Sequence, residues 1–148
     1  MNNPTPEQIF EQLRSLGRSV PKPLPLIEES EIARQEARHQ ISFPSSYRTF
    51  LLNHSNVSVG HQELLRMSEP KWPYLDLDSN LIEARQMGLP ATLFPFLVDN
   101  GNYYCFDLAT SGPEYGIVFW SHDGLLVEER WPSFLLWVRD CWIAESAE

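Results

Sequence analysis

At 148 residues, with 43% hydrophobic and 12% aromatic content, the chain is long enough for one domain with its own core, needing no metal or disulfide staple. No apolar run approaches the roughly 20 residues that a bilayer-spanning helix requires, which excludes that class. The formal net charge of −9, from 20 acidic against 11 basic side chains, opposes binding to phosphate backbones and favours a basic partner.

The opening Met1 to Glu7 lacks the basic and apolar segments of a secretory signal, so a soluble, cytoplasmic protein is the expectation. In a reducing compartment Cys105 and Cys141, both in apolar settings, are expected to behave as small buried hydrophobes.

Thr5-Pro6-Glu7-Gln8 predicts a first helix: Thr5 caps, Pro6 takes the first helical position and Gln8 reaches back as in a capping box. Ile9, Leu13 and Leu16 form its apolar stripe and Gly17 ends it. The alternating prolines of Val20 to Pro25 forbid helix and predict a stiff connector. A second helix starts around Glu29-Ser30 and carries Ile32, Ala33 and Ala37 at helical spacing, with Ile41 just beyond its end. Pro44 to Asn53 reads as a third helix that turns Tyr47, Phe50 and Leu51 inward.

Glu63 to Met67 predicts a short strand. Asp76-Leu77-Asp78 resembles the start of a calcium loop, but Leu81 stands where glycine is needed and Met87 where a bidentate Glu should be. The segment reads instead as a helix capped by Ser79 or Asn80, with Leu81, Ile82 and Ala84 partly buried and Gly88 stopping it.

The strongest local signal is Phe94 to Asp107, two apolar runs joined by Asn100-Gly101, which predicts a type I′ hairpin. The two-residue turn sets Asp99 opposite Asn102, Val98 opposite Tyr103, Leu97 opposite Tyr104 and Phe96 opposite Cys105. Phe94, Phe96, Val98, Tyr103 and Cys105 would then share one face, with Leu97, Tyr104 and Phe106 on the other. Both faces are apolar, so helices or loops should cover both. Ile117 to Trp120 predicts a further strand, His122-Asp123-Gly124 a turn, and Leu126 to Arg130 an edge strand. Ser133 caps a last helix whose Phe134, Trp137, Val138 and Cys141 recur at i, i+3, i+4 and i+7. The expected fold is α+β, a central antiparallel sheet with helices packed against it, in one domain over 1–148: helical part 5–53, sheet about 63–131, C-terminal helix about 133–146.

The chain carries no G-x-S-x-G elbow, no H-E-x-x-H or paired C-x-x-C, and no glycine-rich phosphate loop, so no enzyme, metal or cofactor is expected. The remaining catalytic arrangement is Cys105 served by His54, His61 or His122.

Ile32…Glu36 followed by Ile41-Ser42-Phe43-Pro44-Ser45-Ser46-Tyr47 to Asn53 resembles the opening of the SUKH superfamily, which includes fungal cell-wall-synthesis regulators and many bacterial immunity proteins. Phe94-Pro95-Phe96, Asn100-Gly101-Asn102, Tyr104-Cys105-Phe106-Asp107, Val118-Phe119-Trp120 and Ser133-Phe134 look like the second half of its pattern. The resemblance assigns structural roles to Pro44, Tyr47, Phe50, Asn100, Gly101, Asp107 and Trp120. Gln40 departs from it, standing where the family often has a helix-ending glycine.

What the resemblance implies is a binding scaffold without catalysis, whose bacterial members neutralise toxin domains, often nucleases. The expected partner is a cognate toxin with a basic active-site surface. An endogenous partner of a regulatory module is the alternative. Candidate contacts are the loop acids and rings Trp72, Tyr74, Asp76, Asp78, Glu114, Tyr115 and Asp123.

Overall fold

The computed structural model describes residues 4–17, 25–57, 59, 62–67, 73–110, 114–121 and 126–146. Three helices precede the sheet. In α1 (Pro6–Ser15) the Thr5 hydroxyl accepts from the Gln8 N–H at 3.2 Å while Gln8 Oε1 accepts from the Thr5 N–H at 2.8 Å, completing the capping box. α2 (Glu29–His39) ends on Gln40, whose φ of 55° lies in the left-handed region that favours glycine. α3 (Ser45–His54) follows Pro44 and buries Tyr47, Phe50 and Leu51. Glu36 links the two: its carboxylate accepts from the Phe43 N–H at 2.8 Å and lies 3.6 Å from the Arg48 guanidinium. The predicted connector over 20–25 lies mostly outside the described residues.

Among the described residues the strands form a five-stranded antiparallel meander: β1 (Glu63–Leu64), β2 (Leu93–Asp99), β3 (Asn102–Asp107), β4 (Gly116–Trp120) and β5 (Leu126–Trp131). The β2–β3 turn has positive φ at both central residues, 53° at Asn100 and 82° at Gly101, as a type I′ turn requires. Pairing follows the expected register from Asp99–Asn102 through Leu97–Tyr104, then shifts. Pro95, not Phe96, lies opposite Cys105, and Phe96 is the extra residue of a bulge. Proline cannot donate to the ladder, and a proline inside a central strand is confined to such irregularities.

The bulge corrects the expected faces. Phe94, Phe96 and Leu97 all point with Tyr104 and Phe106 toward α3 and the C-terminal helix, where Phe96 stacks on Phe106 at 4.6 Å and meets Trp137 edge-on at 5.1 Å. Tyr47 stands at the centre of this layer, with ring centroids of Phe106, Phe134 and Phe43 at 4.9, 5.2 and 5.3 Å. Val98 remains with Tyr103 and Cys105 on the other face, which α4 (Leu77–Gln86) covers.

One helix boundary also differs from expectation, as does the winding of the last helix within its expected bounds. Asp76, not Ser79 or Asn80, caps α4: its carboxylate accepts from the Ser79 N–H at 2.9 Å. Leu77, Leu81 and Ala84 are its buried stripe, and Ile82, expected to be partly buried, is 61% exposed because it points away from that stripe. The C-terminal helix opens as α5 (Phe134–Trp137) on the Ser133 cap, widens to a π-helical stretch (Val138–Ile143) and closes in α6 (Ala144–Ser146). The wider turns bring Trp142 and Ile143 inward beside Cys141, and the Trp142 indole N–H donates to the Val59 carbonyl at 3.2 Å.

Gln40 has no Cβ-compatible reason to adopt its left-handed conformation, so Gln40→Gly should stabilise the fold by about 0.5–1 kcal/mol, the relief of strain less the entropy glycine gains when unfolded. A urea midpoint that rises at constant slope is the expected measurement.

Candidate functional site

The Tyr103 face of the sheet meets α4 through one polar side chain. Asn80 is buried; its amide donates to the carbonyls of Tyr74 and Asp76 at 2.9 and 2.7 Å, and its Oδ1 accepts from the Tyr103 hydroxyl at 2.8 Å. It thereby ties the 3₁₀ turn Pro73–Leu75, the start of α4 and the hairpin into one unit. Beside this node lies a groove of about 330 Å³. Tyr74, Ser79, Glu83 and Met87 form its helix-side wall, and Val98, Gly101 and Tyr103 form its hairpin side.

Tyr74 is 58% exposed and Met87 42% exposed, so the groove opens between two large apolar side chains. Glu83 lines the groove with them. Among the described residues it has no hydrogen-bond or ion-pair partner, and after burial it is the main influence holding the Tyr103 phenol above its ordinary pKa.

The acids named from the sequence have other commitments. Asp76 caps α4. Asp78 joins α4 to α2: Arg38 Nη1 and Gln35 Nε2 donate to its Oδ2 at 2.7 and 3.1 Å, and His39 Nε2 lies 3.1 Å from its Oδ1. Burial pushes the Asp78 carboxyl up, but the hydrogen bonds from Gln35 and His39 and the Arg38 charge together hold it below the usual range. Glu114 accepts from the Ser45 and Ser46 hydroxyls at 3.3 and 3.1 Å, placing a negative charge at the N-terminus of α3. Tyr115 is half-buried against Phe106 at 6.4 Å. Trp72 and Asp123 lie outside the described residues.

Glu83, Met87 and Tyr103 were absent from the sequence-based set, although Ser79, Glu83 and Met87 recur at i, i+4 and i+8 of α4. Of the residues marked as structural, Asp107 fixes the β3–β4 connection by accepting from the Ala109 N–H and from Arg130, both at 3.0 Å. Trp120 is buried and stacks near Tyr103 at 6.4 Å.

The catalytic alternative fares poorly. Cys105 is fully buried beneath α4, and burial pushes its thiol far above the ordinary value despite the charge of Arg85. His39 and His54, the histidines among the described residues, pack on rings of the opposite layer, against Phe94 and Phe10 at 5.1 and 5.0 Å; His61 and His122 lie outside the description. Cys141 is on that opposite layer too, its thiol 3.4 Å from the Tyr104 hydroxyl, and Cys105 and Cys141 are not joined in a disulfide. Among the described residues no three His, Cys, Asp or Glu side chains gather as a metal ion would require, and no helix is long and apolar enough to cross a membrane.

The antiparallel meander backed by helices places the chain in the α+β class. The family model described as SMI1-KNR4 cell-wall, SUKH_5, matches residues 6–143, and the chain belongs to this family. A crystal structure of a protein from Pseudomonas syringae pv. tomato is similar at 31% identity with a TM-score of 0.78, the match covering 93% of this chain and 98% of that one. No curated protein matches.

Because the folded Asp78 carboxyl stays ionised to lower pH than the unfolded one, its stabilisation is complete above the unfolded value and is lost as pH falls through the folded one. Asp78→Ala should therefore cost about 2 kcal/mol at neutral pH, from lost charge-assisted hydrogen bonds. The gap from wild type in urea unfolding should close as the buffer is acidified below the carboxylate range; a constant gap would show that packing, not charge, holds α2 to α4.

Proposed function

We propose that this protein is an immunity protein: it binds the toxin domain of a bacterial polymorphic toxin system and blocks access to a basic active-site cleft, such as that of a nuclease, without chemistry of its own. The observation that carries this reading is an exposed ring, Tyr74, beside a carboxylate without a partner among the described residues, Glu83, on a family scaffold of net charge −9. Tyrosine in such a setting supplies the anchor, and the acidic field speeds encounter with a basic partner. Asp76 and Asp78 add to the same field from the start of α4 while retaining their internal bonds. Glu114 and Tyr115, at the start of α3 and before β4, would form a separate patch, with Trp72 and Asp123 as further contacts.

The family's cell-wall description favours a second reading, a regulatory module that binds an endogenous partner through the same surface. Co-expression distinguishes the two. Cells producing the toxic C-terminal domain of a neighbouring secreted protein should survive with this chain present, and the pair should co-purify at moderate salt, the complex weakening as salt rises. Tyr74→Ala should weaken it about thirtyfold, as the loss of roughly 2 kcal/mol at a hot spot. Cells that die, with no complex recovered, would remove the immunity reading for that pair.

A further inference from the structure

Three of the polar side chains lining the α4–hairpin groove have their donors engaged within the fold. Ser79 Oγ donates to the Asp76 carboxylate at 2.8 Å, both Asn80 amide hydrogens go to backbone carbonyls, and the Tyr103 hydroxyl donates to Asn80. What these three groups turn outward is lone pairs, on the Tyr103 and Ser79 oxygens, with the Glu83 carboxylate beside them. No Lys, Arg or His is among the described residues that line the groove. The basic residue nearest along α4, Arg85, donates to the Leu89 and Pro90 carbonyls past the far end of the helix.

From this we infer that the groove takes the guanidinium of an arginine carried by the partner protein, an assignment that rests on the protein-binding reading above and specifies its chemistry. An occupant that meets Glu83, Tyr103 and Ser79 must bring donors and positive charge, because an anion or a bare carbonyl would meet acceptors there. Guanidinium is suited on three counts. Its planar fork offers paired donors to the Glu83 carboxylate, its face stacks on the exposed Tyr74 ring, and its weak hydration makes transfer into the groove less costly than for an ammonium. The apolar stem runs along Met87 and Val98. A groove of about 330 Å³ equals the volume of roughly ten waters, room for one long side chain and its remaining solvent.

The test needs no toxin. Isotope-labelled protein is titrated with N-acetyl-arginine amide, N-acetyl-lysine amide and N-acetyl-norleucine amide. The arginine probe should give saturable amide shifts at Glu83, Gly101 and Tyr103, the lysine probe a several-fold weaker response and norleucine none. Glu83→Gln, which breaks no bond among the described residues, should weaken the arginine probe roughly fivefold, as expected for one exposed charge pair. An unshifted groove, an equal response to norleucine or lysine, or unchanged binding by Glu83→Gln would each overturn the assignment. Failure of the wild type to rescue cells from the toxin bears on the immunity reading alone. Rescue by Glu83→Lys as strong as by wild type overturns the arginine pocket alone.

Discussion

The bulge at Phe96 is the constraint from which the rest of the architecture follows. In an unbroken β2 ladder Phe96 and Leu97 would face opposite sides, and the helical layer would lose the ring that Tyr47, Phe106, Phe134 and Trp137 surround. With the extra residue, both point into the same layer. The Phe96 carbonyl, displaced from the β2–β3 ladder, accepts from the Leu65 N–H at 3.0 Å and so extends the attachment of the β1 segment. Pro95 makes this tolerable, since it has no N–H to leave orphaned. One local irregularity thus sets the packing of the aromatic core and the position of the sheet edge.

The same bulge leaves Val98, Tyr103 and Cys105 to the opposite face, and that division separates the aromatic core from the face that carries the groove. The helical layer is a close aromatic cluster in which Tyr47 and Trp137 are fully buried. The α4 face is thinner. Beside the Leu77, Leu81 and Ala84 stripe, it is held against the sheet by the polar node at Asn80, which joins segments far apart in sequence, while Asp78 ties α4 to α2. A node of this kind positions the groove walls without filling the space between them, as a pre-formed recognition surface requires.

Much of this was legible in the sequence wherever a local chemical rule decides the outcome. Thr5-Pro6-Glu7-Gln8, Asn100-Gly101 and Ser133 each dictate a backbone geometry within a few residues, and the structure has all three. Pro95 carried the bulge signal as well, but a proline in an apolar run reads as a strand start until the strand is known to have neighbours on both sides. Asp76 and Ser79 are both capping residues; what separates them is Leu77, which completes the stripe with Leu81 and Ala84 only if the helix starts at Leu77. The π-helical stretch has no such marker in Val138 to Ile143. The groove was half-visible: Tyr74 stood out as a loop ring, while Glu83 acquires meaning only when Asn80 meets Tyr103 across the fold.

Net charge and usable charge differ in this protein, and the difference is structural. A value of −9 describes a field, yet Asp78, Glu114 and Asp107 are each engaged by donors that hold helices or a loop in place. Such carboxylates attract a basic partner at a distance but cannot reorient toward it without undoing the fold, so they govern the rate of encounter more than the life of the complex. A carboxylate that meets a partner directly must have no internal obligation and must stand beside apolar surface that excludes water. On the α4 face Glu83 has no partner among the described residues and lines the groove with the exposed Tyr74 and Met87, so on the proposed reading the specificity of the surface is concentrated at that one residue of an otherwise diffuse acidic chain.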